Sequence, residues 1–301
     1  MFLSYRGLKP TIMKHFALVI FCLVLSTLLF AQSPKLKTSL NAYSFNHLLS
    51  EGQMNLDELL EFCAETGFDA VDLTAYYFPG YPAVPSDEVL YKVKRKAHEL
   101  GLEISGTGVR NDFTSGDPKS LEENIQLVKN WIIAAEKMGA PVLRIFAGQS
   151  NPGQFENQEI FNSMIAAIRE CVAFGAEHGV IVAIQNHWQF IKTSDHVLQL
   201  FEEIHSEWFG LVLDVGSYRL GDPYQQIEAS IPYAVNWQLK EQVYVNGEPV
   251  KTDLERIMYL IKASSYRGYV PIETLGEGDY RQKVKTFYQE VTNQLHLVNG
   301  Q

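Results

Sequence analysis

Four polar residues close four short apolar runs in the second half of the chain: Gln185 ends VIVAIQ, Asp214 ends GLVLD, Gln238 ends AVNWQ and Glu273 ends VPIE. The intervals between them are 29, 24 and 35 residues, each long enough for a strand, a helix and their connections. A carboxylate closing a buried run needs a partner, because an unpaired buried charge is costly or shifts its pKa. Asp214 and Glu273 are therefore candidates for holding a cation or moving a proton. An amide carbonyl is a neutral oxygen donor that suits Mg²⁺, Mn²⁺ or Ca²⁺ and suits zinc poorly. Gln185 and Gln238 extend the set on that basis. The competing reading gives Asp214 and Glu273 to local salt bridges, and both amides to sugar hydroxyls or to each other.

The elements that must position these residues form a repeating strand–helix unit. Strand-like runs lie near 38–45, 69–74, 102–107, 141–147, 180–186, 210–215, 234–240 and 269–274. Their mostly unalternating apolar character fits strands buried on both faces. Between them run amphipathic stretches with helix signals: Asn55 and Ser86 as N-caps, and Gly67, Gly101, Gly139 and Gly179 as stops. Eight such units predict an α/β protein with a single (β/α)8 TIM barrel. In that architecture the carboxyl ends of all strands face one mouth, where the four residues would converge. The longest loops, 76–85, 109–118 and 148–155, leave the same face.

The chain carries 25 basic and 35 acidic residues. Residues 14–32, KHFALVIFCLVLSTLLFAQ, read as a secretory signal with cleavage after Ala31 and a start at Met1 or Met13. This divides the chain into a signal, 1–31, and one barrel domain, 32–301, directed to the periplasm or the exterior. Without the signal the balance is 22 basic to 35 acidic. That disfavours nucleic acid and anionic membrane surfaces as partners, and no stable membrane insertion is expected after cleavage. Cys63 and Cys171 are expected as buried thiols, and no Cys/His cluster suggests zinc.

The runs and their spacing resemble the sugar isomerase/epimerase family with a xylose-isomerase-like barrel. There the matching positions are usually Glu, Asp, His and Glu, and they hold a divalent metal. The resemblance implies Gln185, Asp214, Gln238 and Glu273 as the ligand set here, with Mn²⁺, Mg²⁺ or Ca²⁺ favoured over zinc. It also implies proton transfer through a metal-stabilised enediolate, with Glu273 as one base. Gln185 cannot be the other, because an amide takes up no proton. His187, in IQNHW, resembles the Asn-His pair that follows the family's fifth-strand ligand, and Lys240 and Glu241, in WQLKE, resemble its His-x-Lys-Asp ending. His187, Lys240 and Glu241 join Glu273 as catalytic candidates. Ser217 stands where relatives often carry His.

Substrate contacts are expected from Arg144 on the fourth strand and Arg110 and Asp112 on the loop after the third. Tyr43, Trp188 and Trp237 supply rings suited to the apolar face of a sugar. The substrate class is a small carbohydrate. Without a phosphate cradle, and with an export signal, an unphosphorylated sugar or keto-sugar is the expected one. Three functions compete: isomerase or epimerase, keto-glycoside lyase using the same proton abstraction, and a non-catalytic carbohydrate-binding barrel. Barrels of this type often dimerise, which leaves a homo-oligomer open.

Overall fold

Eight parallel strands close a barrel. In chain order they are β1 (Lys37–Asn41), β2 (Ala70–Thr74), β3 (Glu103–Gly108), β4 (Val142–Ile145), β5 (Ile181–Gln185), β6 (Phe209–Asp214), β7 (Ala234–Lys240) and β10 (Tyr269–Glu273). Between β7 and β10 lies a separate antiparallel pair, β8 (Gln242–Val245) and β9 (Glu248–Lys251). The computed structural model describes residues 36–299, with side chains as far as His296. The expected signal segment lies outside the described residues. No helix among them is long and apolar enough to cross a membrane.

Each barrel strand is followed by a helix; Ser86 precedes the helix Asp87–Glu99 as expected but makes no side-chain capping bond, whereas other signals act as their chemistry requires. Asn55 forms a reciprocal capping box with Glu58, with N–H···O distances of 3.0 and 2.9 Å. That helix, Leu56–Thr66, stops at Gly67, whose φ of 96° is left-handed. Asp117, Asp222 and Asp253 cap three later helices through side-chain oxygens. The apolar core fills the layer between strands and helices. Cys63 and Cys171 are free and buried in it.

Inside the barrel the filling is different. A small apolar plug of Val142, Ala183 and Val212 shares the lumen with polar groups. Ser39 and Ser105 hydrogen-bond at 2.7 Å, and Asn236 donates to Asp72 at 3.1 Å. Side chains alternate faces along a strand. On β7 this turns Asn236, Gln238 and Lys240 inward, while Trp237 and Leu239 face the helices.

Two expectations need correction. The first strand ends at Asn41, and residues Ala42–Phe45 form a 3₁₀ turn. The Asn41 side chain accepts from Tyr43 N at 2.9 Å, which bends the chain out of the sheet. The hairpin β8–β9 was not anticipated. Its tip is Asn246-Gly247, with φ of 52° and 88°, the left-handed pair that a tight two-residue hairpin turn needs.

Candidate active site

The four strand-end residues converge at the mouth. Register places Asp214 beside Gln238 and Lys240 beside Glu273. Asp214 is fully buried and surrounded by donors. Its Oδ2 accepts from Gln185 Nε2 at 2.8 Å, Ser217 Oγ at 2.8 Å and Lys240 Nζ at 2.9 Å. Its Oδ1 accepts from Gly216 N at 2.9 Å. Asn186 fixes the Asp214 backbone, exchanging bonds of 2.7 and 3.0 Å with its N–H and carbonyl. The Lys240 ammonium also lies 3.1 Å from Glu273 Oε1, bridging the two carboxylates. Gly216 makes room for it, since a Cβ there would lie 2.8 Å from Lys240 Cδ.

The electrostatics follow from burial and that bridge. Burial alone would raise Asp214, yet Lys240 and the Ser217 hydroxyl outweigh it and hold the carboxylate below its usual range. Glu273 goes the other way. Burial raises it, Lys240 opposes, and the nearby Asp214 charge adds to the rise. Burial disfavours the Lys240 ammonium, but Asp214 and Glu273 together keep it charged. His187 is pushed down to about 4, chiefly by burial. Its imidazole is neutral at physiological pH, packs edge-on to Phe146 at 5.3 Å and leaves Nδ1 buried without a partner.

These groups open into a cleft of about 840 Å³. Of the expected substrate contacts, Tyr43, Arg110, Arg144 and Trp188 line it, as do His187 and Glu241. Arg144 donates to Val109 O at 2.6 Å and to Tyr76 Oη at 2.8 Å. Trp188 is 39 % exposed.

Trp237 and Asp112 do not belong with them. Trp237 is completely buried on the helix side of β7, against Tyr266 with centroids 5.8 Å apart. Strand alternation, which points Gln238 into the mouth, forces its neighbour away. Asp112 ties loops together. Its Oδ1 accepts from Thr114 N and Oγ1, and its Oδ2 from Gln149 N, Ser150 N and Ser150 Oγ, at 2.7–3.0 Å. Sequence reasoning missed Arg219 and Tyr244, which also line the cleft. The Asn-Gly dipeptide gave a signal for the hairpin that carries Tyr244; Arg219 gave none.

Whether this set fits a divalent cation is decided by free lone pairs. Asp214 Oδ2 has none to spare, with three donors, and Oδ1 already accepts one. Gln185 turns its NH₂ toward the centre, donating to Asp214 Oδ2 and to Gln238 Oε1 at 2.7 Å, while its Oε1 is buried and unpartnered. Rotating that amide would aim its oxygen at two acceptors. The position between the two carboxylates is already filled by an ammonium. No group of three or more His, Cys, Asp and Glu side chains among the described residues is disposed to hold a metal. The expected ligand set is thus brought together, but as a hydrogen-bonded cluster around Lys240 that does not fit a divalent ion as it stands.

Among curated proteins none matches this sequence. Solved structures do. A xylose isomerase domain protein from Planctomyces limnophilus superposes with a TM-score of 0.71 at 14% identity, over 89% of this chain and 100% of that one. A D-allulose 3-epimerase from Methylomonas sp. gives 0.68 at 14% identity, over 88% and 99%. A probable 3-DHS dehydratase involved in petrobactin synthesis, from Bacillus anthracis, gives 0.66 at 18% identity, over 86% and 100%. At these identities the likeness establishes the barrel. The family follows from the sequence itself: residues 60–290 match the model of the xylose isomerase-like TIM barrel, and the chain belongs to that family.

Proposed function

We propose that this barrel is an enzyme that moves a proton at the carbon beside a carbonyl of a small carbohydrate, as a sugar isomerase or epimerase does. One observation carries the reading: the Lys240 ammonium sits in the mouth within reach of both Asp214 and Glu273, at 2.9 and 3.1 Å. Glu273 is the base. A carboxylate raised by burial is better matched to proton abstraction near neutral pH than an ordinary one. Lys240 is the positive group that faces the carbonyl oxygen. As negative charge develops there, the ammonium N–H forms a charge-assisted hydrogen bond that strengthens toward the transition state. Asp214 stays ionised and anchors Lys240. The metal-stabilised route expected from the resemblance is not used in this reading, because the donors it needs are already engaged.

A second reading, elimination from a keto-glycoside, draws support from Gln185. The position that would supply a second carboxylate carries an amide, and burial pushes His187 down to about 4, which makes its imidazole a weak base. With Glu273 as sole base, loss of a leaving group from the next carbon competes with return of the proton. Incubating the protein in D₂O with ketoses and with a methyl keto-glucoside, and following both by NMR, tests the two. Deuterium gained beside the carbonyl, and lost with Glu273→Gln, supports proton transfer, and release of methanol assigns elimination. Exchange retained by Glu273→Gln, or absent from every ketose and keto-glucoside that binds, rules out the reading. We further propose export, which a mature N-terminus at Gln32 in the periplasmic fraction would support and an intact leader in the cytoplasm would refute.

A further inference from the structure

The cleft holds arginines that make no direct ion pair among the described residues, although Arg144 bears electrostatically on Asp72 and Glu273. Three lysines line it, and each faces a carboxylate: Lys240 faces Glu273, Lys251 lies 3.0 Å from Glu290, and Lys283 lies 4.0 Å from Glu241. Three arginines line it too, and none has a carboxylate partner among the described residues. This occurs in a chain of net charge −10, in which Arg95, Arg169 and Arg256 pair with Glu or Asp, while Arg267 donates to backbone carbonyls and Arg281 lies over Phe62.

The three arginines are held by ring faces. Arg110 lies over Tyr76 at 4.5 Å and Arg144 over Phe146 at 4.1 Å. Arg144 uses two N–H groups on protein acceptors. Arg219 uses none: its guanidinium is sandwiched between Trp188 at 4.4 Å and Tyr244 at 4.3 Å, and its Nε is covered without an acceptor. Rings on both faces leave only the edge of the guanidinium for a ligand. A planar edge with parallel N–H groups matches the two oxygens of a carboxylate. The clamp is assembled from three segments, the loop after β5, the loop after β6 and the hairpin β8–β9, the last held by Asn246 N donating to Gly221 O at 3.1 Å. Arg219 and Lys240 both bear electrostatically on His187, so the clamp and the proton-transfer pair serve one cavity.

We propose that the substrate is a sugar acid whose carboxylate docks edge-on to Arg219 between Trp188 and Tyr244, while its carbonyl end reaches Lys240 and Glu273. A carboxylate is favoured over a phosphate because one guanidinium edge is the sole free donor set in the clamp. This inference rests on the proposed proton transfer for the position of the carbonyl end only.

The test is equilibrium binding, read by calorimetry and by Trp188 fluorescence, with D-glucuronate, D-galacturonate, D-glucose and glucose 6-phosphate. The expected result is a preference of about tenfold or more for a hexuronate over glucose, about 1.4 kcal/mol. Arg219→Met should abolish the preference, Arg219→Lys should restore part of it, and thermal melts should show both variants folded. Equal affinity for acid and neutral sugar, a preference unchanged in Arg219→Met, or no hexuronate binding overturns the proposal. Stronger binding of glucose 6-phosphate than of either hexuronate overturns the carboxylate assignment. Because binding is read without turnover, failure of the D₂O exchange experiment leaves this result standing, and the reverse also holds.

Discussion

Replacing Lys240 by Met keeps most of the side chain and removes the charge that links Asp214 to Glu273. At about 3 Å and an effective dielectric of about 20, each contact is worth about 5 kcal/mol of Coulomb attraction. Desolvation of the ammonium offsets much of that. Removal of one partner from a buried ion pair costs about 3–5 kcal/mol, and Lys240 serves two carboxylates while only 15 % exposed, so the upper part of that range applies. The sign with pH is specific. Without the cation both carboxylates rise above their unfolded values. Such a group contributes stability below its unfolded pKa and loses it as pH rises through the folded pKa. Urea unfolding of wild type and Lys240→Met should therefore differ little near about pH 4 and by about 4–5 kcal/mol near about pH 8. A deficit below about 1 kcal/mol at the higher pH, the value of an exposed pair, or one of equal size at both pH values, would refute the reasoning.

Other consequences follow from single side chains. Asp72 is raised from 3.8 to about 6, mainly by burial, so its folded form favours the proton and its contribution to stability is lost as pH rises through about 6. Asp72→Asn, which keeps an acceptor for Asn236, should match wild type in acid and exceed it by up to about 2–3 kcal/mol in alkali; a less stable variant in alkali contradicts the assignment. Asp112→Ala removes the acceptor of five hydrogen bonds and should cost about 2–3 kcal/mol, with faster amide exchange confined to residues 112–115 and 148–151. Trp237→Ala should cost about 3–5 kcal/mol of stability and leave sugar binding intact. Trp188→Ala should do the reverse, weakening binding in calorimetry while the melting temperature holds.

The barrel was legible because its strands are buried on both faces. β5, β6 and β10 are continuous apolar runs that each stop on one polar residue at the mouth, while β7 alternates, with Asn236, Gln238 and Lys240 on its inner face. That Lys240 belongs with Gln238 was also legible, since two residues along a strand share a face. The same count places Trp237 opposite, and its assignment to the substrate ignored that parity in favour of ring chemistry. Asp112 reads as a loop carboxylate from sequence, but the partners that consume it, Gln149 and Ser150, come from a different loop. Arg219 was invisible for a similar reason. Its two rings, Trp188 and Tyr244, lie on other segments, and only closure of the barrel brings them to it. The identity of the cation between Asp214 and Glu273 was beyond the sequence altogether. Two carboxylates and two amides at strand ends describe a metal site or a lysine-filled one equally well, and the choice depends on where a four-carbon stem can reach.

That choice is open to one direct measurement. Mn²⁺ titration followed by electron paramagnetic resonance, on protein first stripped with chelator, counts ions held at the mouth. Wild type is predicted to hold no stoichiometric Mn²⁺, and Lys240→Met, with the ammonium gone from between the two carboxylates, is predicted to gain a site that Asp214→Ala removes again. Stoichiometric Mn²⁺ on the wild-type protein, abolished by Asp214→Ala and by Glu273→Ala, would contradict the account and return the barrel to metal-assisted chemistry.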